Sequence, residues 1–367
     1  MNRKEECEAK IGQVREVMRR RNLAGVALTA QNNVSWLTAG GELHIALAST
    51  AASGQILVTA KEALCLTENI EAGRLAEEEL KDTGIRVEPS HWWEGKTLEE
   101  KVASVADPKK VGADAAPGPF ADVSQDIADL RMSLMDVELQ RFRALSARAE
   151  KAMWETCLAL EPGLTEFEAA GLLSERVYAH GCSPMVALVA ADERIGLYRH
   201  PTPKSRRVEE RVMLVLCARM GGLVASLTRI VAFVRPGADL IKRHNACAAV
   251  DATLIANTRV GADYGAIFDK GCKAYAAHGY ANEWRLHHQG GPAGYNTREI
   301  RVAPSTKATV RKNQPVAWNP SITGTKSEDT IVALDSGPEV LTFSLPWPAV
   351  EVEAEGCVWK RADFFTP

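Results

Sequence analysis

Arg285-Leu-His-His-Gln-Gly-Gly291 is the stretch around which the rest of this chain is organised. Two adjacent histidines followed by two glycines let the backbone pass close to an imidazole whose ring points into a cavity. The stretch lies between two predicted β-hairpins, at residues 212–233 and 314–334. This pattern is typical of a functional site, and a pair of histidines in an ordinary loop remains the alternative on these residues alone.

The composition is that of an ordinary globular protein. The chain has 367 residues, 46% hydrophobic and 25% charged, which is enough for two domains of normal size. A formal net charge of −3 gives no sign of binding to nucleic acid or to an acidic membrane surface. The first residues, MNRKEECEAK, lack the apolar core of a signal peptide, and no apolar run approaches ~20 residues. We therefore expect a cytoplasmic protein without nucleic-acid or membrane partners.

The eight cysteines are scattered along the chain, with no CxxC motif and no spacing typical of a zinc site. In a reducing compartment most such cysteines are small core residues. We therefore assign none of them a role.

Helical and strand patterns alternate over the first part of the chain, which predicts an α/β domain. Predicted helices cover residues 4–22, 70–80 and 97–106, and predicted strands cover 23–30, 55–60, 62–67, 85–89 and 110–113. Prolines and glycines at 107–108 and 116–119 indicate turns rather than a flexible linker. The boundary is predicted near residues 130–136, which gives domains at 1–133 and 134–367.

The second domain is predicted to be α+β. Predicted helices cover residues 137–160, 165–179, 239–257 and 264–277, and a strand covers 186–191. Thr165 is the expected N-cap of its helix, with Glu168 at the capping-box position.

The turns of the two hairpins decide which side chains share a face. A turn at Met220-Gly221 in the first hairpin would place Val215 opposite Ser226. A turn near residues 323–324 in the second would place Asn319 opposite Glu328.

The order of these features resembles the pita-bread family, which includes prolidase, aminopeptidase P, methionine aminopeptidase and creatinase. The matching features are Pro162-Gly-Leu-Thr-Glu166 before a helix, His200-Pro-Thr-Pro203, Ser226-Leu-Thr-Arg229 in a hairpin, the glycine loop after His288, and Glu328-Asp-Thr330. The resemblance covers nearly the whole chain. It implies an α+β pita-bread catalytic domain preceded by a smaller α/β domain of the creatinase and prolidase type. It does not fix the function, because one fold hosts several chemistries.

In the metallopeptidases of this family, two hairpin aspartates, one histidine and two glutamates hold a pair of divalent metals. Their positions fall on Val215, Ser226, His288, Asn319 and Glu328. Only His288 and Glu328 remain ligands of the expected type, whereas a two-metal site needs several carboxylate oxygens to offset its charge. The resemblance thus implies a divergent member that lacks most metal ligands, and we expect neither a bound metal nor another cofactor.

Creatinase has this fold without the metals and uses a histidine as general acid and base on a small guanidino compound. The position of that histidine falls on His200. By resemblance, His200, His288 and Glu328 are the predicted catalytic residues, since neutral imidazoles can transfer protons in water activation. The alternatives are a loop histidine without a role and a structural Glu328 bonded to His288 or Lys326.

The predicted substrate-binding residues are Ser226, Asn319, Arg229, Arg285, Lys326, His287, Trp36 and His44. The neutral groups would orient substrate or water, and the cations, together with Arg298, would suit a carboxylate. Simple pairing of Arg229 or Arg298 with a nearby acid is the alternative. By resemblance to creatinase-like dimers, Trp36 and His44 would reach the active site of the other subunit of a homodimer, and a plain turn is the alternative there.

These observations predict a metal-independent, creatinase-like hydrolase acting on an amide or amidino C–N bond of a small carboxylate-bearing metabolite. Two other classes remain open. One is a noncatalytic binding protein that keeps the fold without the chemistry. The other is an Xaa-Pro-type aminopeptidase or dipeptidase with an altered metal site.

Overall fold

The computed structural model of this protein describes residues 1–115 and 118–367. The chain divides into two compact units. Unit 1 comprises Met1–Arg131 with Gly221–Leu223, and unit 2 comprises Met132–Met220 with Val224–Pro367. The division predicted between residues 133 and 134 stays a prediction. In the described residues, no helix has both the length and the apolar character needed to cross a lipid bilayer.

Unit 1 alternates helices with strands. Its helices are α1 (Arg3–Arg21), α2 (Gln31–Leu37), α3 (Asn69–Arg74), α4 (Leu98–Ala103) and α5 (Ser124–Arg131). Its strands are β1 (Gly25–Ala30), β2 (Ala51–Thr59), β3 (Ala63–Glu68), β4 (Arg86–Ser90), β5 (Val111–Ala113) and β6 (Ala121–Asp122). Among the described residues they form one sheet in the order β4-β3-β2-β1-β5-β6. The α/β prediction for this part is confirmed, and the turn predicted at 116–119 falls partly on residues 116 and 117, outside the described residues.

Residues 32–36 lie within helix α2 (Gln31–Leu37). The buried Asn33 of this helix has a partner far along the chain: its Nδ2 donates to Asp114 Oδ2 at 2.6 Å. Thr38 Oγ1 donates to the Val34 carbonyl at 2.8 Å and closes the last turn. Asparagine often favours a turn, but here the carboxylate of Asp114, the residue after β5, accepts from Asn33 and satisfies it inside a helix.

Unit 2 contains the long helices and the two hairpins. Its helices are α6 (Asp136–Ala159), α7 (Glu166–Ala179), α8 (Arg194–Leu197), α9 (Ala238–Asn257) and α10 (Tyr264–Ala277). Its strands are β7 (Ser183–Ala191), β8 (Arg211–Met220), β9 (Leu223–Ala232, of which residue 223 belongs to unit 1), β10 (Gly290–Pro292), β11 (Gln314–Trp318), β12 (Ser321–Ile322), β13 (Thr325–Lys326), β14 (Asp329–Leu334), β15 (Gly337–Val340), β16 (Ala349–Ala354) and β17 (Cys357–Ala362). In the part of the chain that is described, the sheets are β7-β8-β9, β10-β11-β14-β15, β12-β13 and β16-β17. The predicted α+β class of this unit is confirmed.

Helix α7 begins where the sequence predicts. Thr165 Oγ1 accepts from the Glu168 amide at 3.2 Å, and Glu168 Oε2 accepts from the Thr165 amide at 2.7 Å. This reciprocal capping box satisfies two amides that would otherwise lack partners at the helix start.

The registers of the two hairpins differ in how well the sequence predicts them. In the second, β12 pairs with β13 through Ser321 and Lys326, and extending this register places Asn319 opposite Glu328, as expected. In the first, strands β8 and β9 are joined by Gly221-Gly222, so the turn lies one residue later than predicted. As a result Cys217 contacts Ser226, with Ser226 Oγ 3.3 Å from Cys217 Sγ, and the expected pairing with Val215 is wrong.

The core of unit 2 packs helices α9 and α10 against β11 and β14. Trp318 lies in this core beside Tyr264, with ring centroids 6.1 Å apart, and its indole Nε1 donates to Thr258 Oγ1 at 2.9 Å. Burial of this cluster removes large apolar side chains from water and fixes strands β11 and β14. Residues between these two strands line the cavity described below.

Candidate active site

A cavity of about 210 Å³ lies within unit 2. It is lined by Val186, Leu188, His200, Val215, Cys217, His288, Thr297, Arg298, Arg301, Asn319, Lys326 and Glu328. Strands β7 and β8 supply the apolar wall, and the second hairpin supplies the polar one. The glycine loop carries His288 to the same place.

The glycine loop passes very close to strand β11. A Cβ added to Gly290 would lie 2.1 Å from the carbonyl oxygen of Ala317, and φ of Gly290 is 99°. Any other residue would push the two strands apart, so glycine is required for β10 to pair with β11. The preceding Gln289 is buried, where its amide donates to the His287 carbonyl at 2.6 Å and accepts from the Tyr275 hydroxyl at 2.7 Å. These contacts fix the backbone that presents both histidines.

Three histidines from two loops meet at one end of this arrangement. Nε2 of His287 lies 3.1 Å from Nε2 of His200, and one ring nitrogen from each of His200, His287 and His288 lies within 4.8 Å of the others. The Ser321 hydroxyl lies 3.3 Å from His287 Nδ1. His288 Nδ1 is buried and has no hydrogen-bond partner within residues 1–115 and 118–367.

The surroundings of the three histidines favour their neutral form. Burial is the main cause, and the charge of Lys326 the second, of a lowered pKa at His200. The same two causes lower the pKa of His287 to about 2. Burial, followed by the charge of Arg298, lowers the pKa of His288 to about 4. Neutral imidazoles accept a proton or a metal through one nitrogen and donate through the other.

Glu328 is buried and fully engaged. Its Oε2 accepts from Lys326 Nζ at 2.7 Å and from the Thr228 hydroxyl at 2.7 Å, while its Oε1 accepts from Arg298 at 2.8 Å. Burial raises its pKa, but the charges of Lys326 and Arg298 outweigh this and bring the pKa to about 2. The carboxylate therefore stays ionised and neutralises neighbouring cations, which matches the structural alternative set out for it from the sequence.

Arg301 also lines the cavity and carries a charge without an ion-pair partner among the described residues. It is exposed and follows Arg298 by three residues, in a segment without regular secondary structure. Arg301 was not predicted from the sequence, because a spacing of three residues from Arg298 places side chains on one face only in a helix, and this segment is irregular.

Family models match both parts of the chain. The model of metallopeptidase family M24 matches residues 140–335, which contain every cavity residue. The chain belongs to this family. The creatinase/prolidase N-terminal domain model matches residues 10–144. These matches confirm the family resemblance and the fold inferred from the sequence.

Two curated relatives of this M24 protein share less than a quarter of the residues over the matched region. An uncharacterized peptidase of Staphylococcus saprophyticus is 22% identical over 61% of this chain and 66% of its own length. One of Staphylococcus aureus (strain MW2) is 23% identical over 67% of this chain and 72% of its own length. The chain thus spans about two thirds of the curated relatives it matches.

Solved structures share the fold. A prolidase from Pyrococcus horikoshii OT3 superposes with a TM-score of 0.77 at 19% identity, covering 92% of this chain and 99% of that one. An Xaa-Pro dipeptidase from Bacillus anthracis gives 0.73 at 18% identity, covering 92% and 98%. The N-terminal domain of FACT complex subunit SPT16 from Cicer arietinum gives 0.72 at 10% identity, covering 92% and 96%. The same fold thus occurs in proteins with very different names.

The residues present do not fit the dinuclear metal site of M24 peptidases. Of the five positions that the resemblance assigns to ligands, Val215 and Asn319 line the cavity without a carboxylate. Ser226 does not line it. The one remaining carboxylate, Glu328, is bound by an ammonium and a guanidinium, which occupy the oxygens that two cations would need.

Two predicted substrate-binding arginines lie elsewhere, which corrects the prediction. Arg229 is buried, pairs with Asp329 at 2.9 Å and packs on the Trp347 ring at 4.6 Å. It faces away from the cavity because neighbouring residues of a strand point to opposite faces, and Thr228 takes the cavity side. Arg285 is exposed over the Trp284 ring, 5.3 Å away, and does not line the cavity.

The remaining predicted site residues of unit 2 lie in or next to the cavity. His200, His288, Glu328, Asn319 and Lys326 line the cavity. His287 and Ser226 do not line the cavity but contact residues that do: His287 contacts His200, and Ser226 contacts Arg298.

Trp36 and His44 belong to unit 1. Trp36 is 1% exposed, and its carbonyl accepts from Lys10 at 2.7 Å, so its burial does not favour substrate contact. His44 is partly exposed. Their reach into a second subunit stays a prediction.

Proposed function

We propose that this protein is a metal-independent, creatinase-like hydrolase of an amide or amidino C–N bond in a small carboxylate-bearing metabolite, with His200 as general acid and base. The observation that carries the proposal is the contact of neutral His200 with His287 at 3.1 Å, beside a cavity whose one carboxylate is neutralised by two cations. Family membership supports a hydrolase.

The charge of the cavity favours an anionic ligand. Among the described residues, Lys326, Arg298 and Arg301 line it together with a single carboxylate, that of Glu328. Arg301 is free to bind a substrate carboxylate in the bidentate manner typical of arginine. A dipeptide also carries an α-ammonium group, and that group would find no unpaired acid among the described cavity residues. The cavity therefore suits an acidic amide or guanidino acid better than a dipeptide.

The chemistry follows from the neutral state of His200. As a water oxygen bonds to the amide or amidino carbon, His200 accepts the water proton. His200 then donates that proton to the nitrogen as the C–N bond breaks. His287 holds the His200 ring through their Nε2 contact, and Lys326 with Arg298 lies where negative charge on the attacked group would be stabilised.

The second candidate is an Xaa-Pro-type peptidase with an altered metal site. Family membership favours it, because structural neighbours of this chain carry the names prolidase and Xaa-Pro dipeptidase. The homodimer, the cytoplasmic location and the domain division at residue 133 also stay predictions.

A substrate screen in the presence and absence of chelator tests the proposal. Small acidic amides and guanidino acids are incubated with the enzyme, and release of ammonia, urea or free amine is measured, with neutral carboxamide analogues and Xaa-Pro dipeptides in parallel. We expect turnover of an acidic compound that chelation leaves unchanged. Dipeptide cleavage that requires added manganese, cobalt or zinc would establish the peptidase instead.

Substitution of Arg301 tests the carboxylate contact. We expect Arg301→Ala to weaken binding of the acidic substrate by about 10- to 100-fold, since hydrogen bonds to charged groups contribute roughly 1.5–3 kcal/mol. The matched control is Arg285→Ala, an exposed arginine that does not line the cavity. Titration calorimetry of both variants measures the effect, and equal affinities in the two would show that Arg301 does not bind the carboxylate.

A further inference from the structure

We propose that His200, His287 and His288 form a mononuclear site for a divalent cation that prefers imidazole ligands, such as Zn²⁺ or Ni²⁺. This site is distinct from the dinuclear site of M24 peptidases. It shares only His288 with the positions of that site and uses no carboxylate. Metal binding at the three histidines goes beyond the proposed function. The expected effect of the metal on turnover rests on that function.

The geometry of the cluster is close to that of a metal site. Zinc binds imidazole nitrogens at about 2.0–2.1 Å, so three nitrogens around one tetrahedral ion lie roughly 3.3 Å apart. The Nε2 atoms of His200 and His287 are already 3.1 Å apart, and the third histidine brings a nitrogen within 4.8 Å of both. A side-chain rotation that brings the nitrogen of His288 about 1.5 Å closer to the other two would complete the set.

Two further features favour metal binding at this site. The Ser321 hydroxyl lies 3.3 Å from His287 Nδ1, which fixes the ring in the way that outer hydrogen bonds orient metal-binding histidines. His288 Nδ1 is buried without a hydrogen-bond partner among the described residues, which costs free energy unless another group binds there.

The surroundings determine which cation binds. Lys326, Arg298 and Arg301 lie nearby and repel cations, and the three ligands are neutral. Hard ions such as Mg²⁺, Ca²⁺ and Mn²⁺ require carboxylates and are excluded, whereas Zn²⁺, Ni²⁺ and Cu²⁺ bind imidazole strongly. The positively charged side chains of Lys326, Arg298 and Arg301 would attract an anion, such as chloride, to the fourth coordination position of the metal.

Occupation of the site would withdraw His200 from proton transfer. A metal-bound ring nitrogen cannot accept a proton, so Zn²⁺ inhibits the hydrolase, and a chelator restores it. This response has the opposite sign to that of a metallopeptidase, which its metals activate.

The test is calorimetric titration of chelator-treated, desalted protein with ZnCl₂ or NiCl₂, and Co²⁺ absorption reports coordination. We expect one ion per chain and at least about 10-fold weaker binding in His287→Asn, since position 287 is outside the dinuclear set. Asn319→Ala alters a position of the dinuclear set and is expected to bind as the wild type does. His278→Asn, an exposed histidine at the end of α10, is the matched control.

Each result decides between the sites. Two ions per chain, or binding lost in Asn319→Ala but kept in His287→Asn, would assign the metal to the dinuclear positions and overturn the proposal, as would no binding. Zn²⁺ binding without inhibition would keep the site and contradict the role of His200. Turnover that depends on His200 in a protein that binds no Zn²⁺ would keep the proposed function and reject the site.

Discussion

Replacement of His200 by asparagine is expected to lower kcat by about 10²- to 10⁴-fold while the affinity for the substrate stays within a few-fold. Asparagine keeps a polar group of similar reach but cannot take up the water proton. The neighbouring cations that would hold the carboxylate are untouched, so ground-state binding is retained. Steady-state kinetics gives kcat, and calorimetry with the same substrate gives the dissociation constant.

The control for this experiment is His278→Asn, the same change at an exposed histidine outside the cavity. It should leave both constants unchanged. A His200→Asn enzyme that retains most of its kcat would remove the general acid and base from the mechanism. Loss of affinity with unchanged kcat would instead make His200 a binding residue. A noncatalytic binding protein that uses the same cavity would bind the ligand without turnover in the wild type as well.

The elements around the cavity were predictable because their signals are local. Helix α10 was predicted with its observed bounds, and the second hairpin was predicted in register, since Gly324 has a φ of 94° where a turn requires it. In the first hairpin, both Gly221 and Gly222 have positive φ, at 55° and 77°, which makes these two residues the turn. The prediction used only the first of the two glycines and was one residue out.

The contacts of the site depend on distant parts of the chain and were less predictable. His287 and His288 are neighbours in sequence, but their contact with His200 spans 87 residues. The hydrophobic periodicity of a sequence carries no information on contacts between residues so far apart in the chain. Only the resemblance to the family predicted that His200 belongs to the site. Arg229 was misplaced because nearness in sequence to a ligand position was taken as nearness in space, and strand alternation sends it to the opposite face.

Arg361 holds the base of the second hairpin. It is 0% exposed, and its guanidinium contacts Asp251 at 2.7 Å and Asp329 at 2.6 Å. Asp329 also accepts from Arg229 at 2.9 Å, and Asp251 accepts from the Ser327 hydroxyl at 2.6 Å. The network therefore joins helix α9 and strand β17 to the residues on either side of Glu328.

Replacement of Arg361 by methionine is expected to destabilise the protein by about 3–5 kcal/mol, because two carboxylates would remain buried with less positive charge. Burial already raises the pKa of Asp251 despite the opposing charge of Arg361, so removal of that guanidinium is expected to raise this pKa further. Chemical denaturation at neutral pH measures the loss.

Lys360→Met is the matched control. Lys360 precedes Arg361 on β17, its side chain is 63% exposed, and its ion pair with Glu351 at 3.7 Å lies in solvent. Such pairs contribute about 0–1 kcal/mol, so the control should unfold nearly as the wild type does. Equal stabilities in the two variants would mean that apolar packing alone holds the hairpin. A large loss in Arg361→Met alone would show that the charged network stabilises the fold around the second hairpin, and turnover should then fall only as far as the folded fraction does.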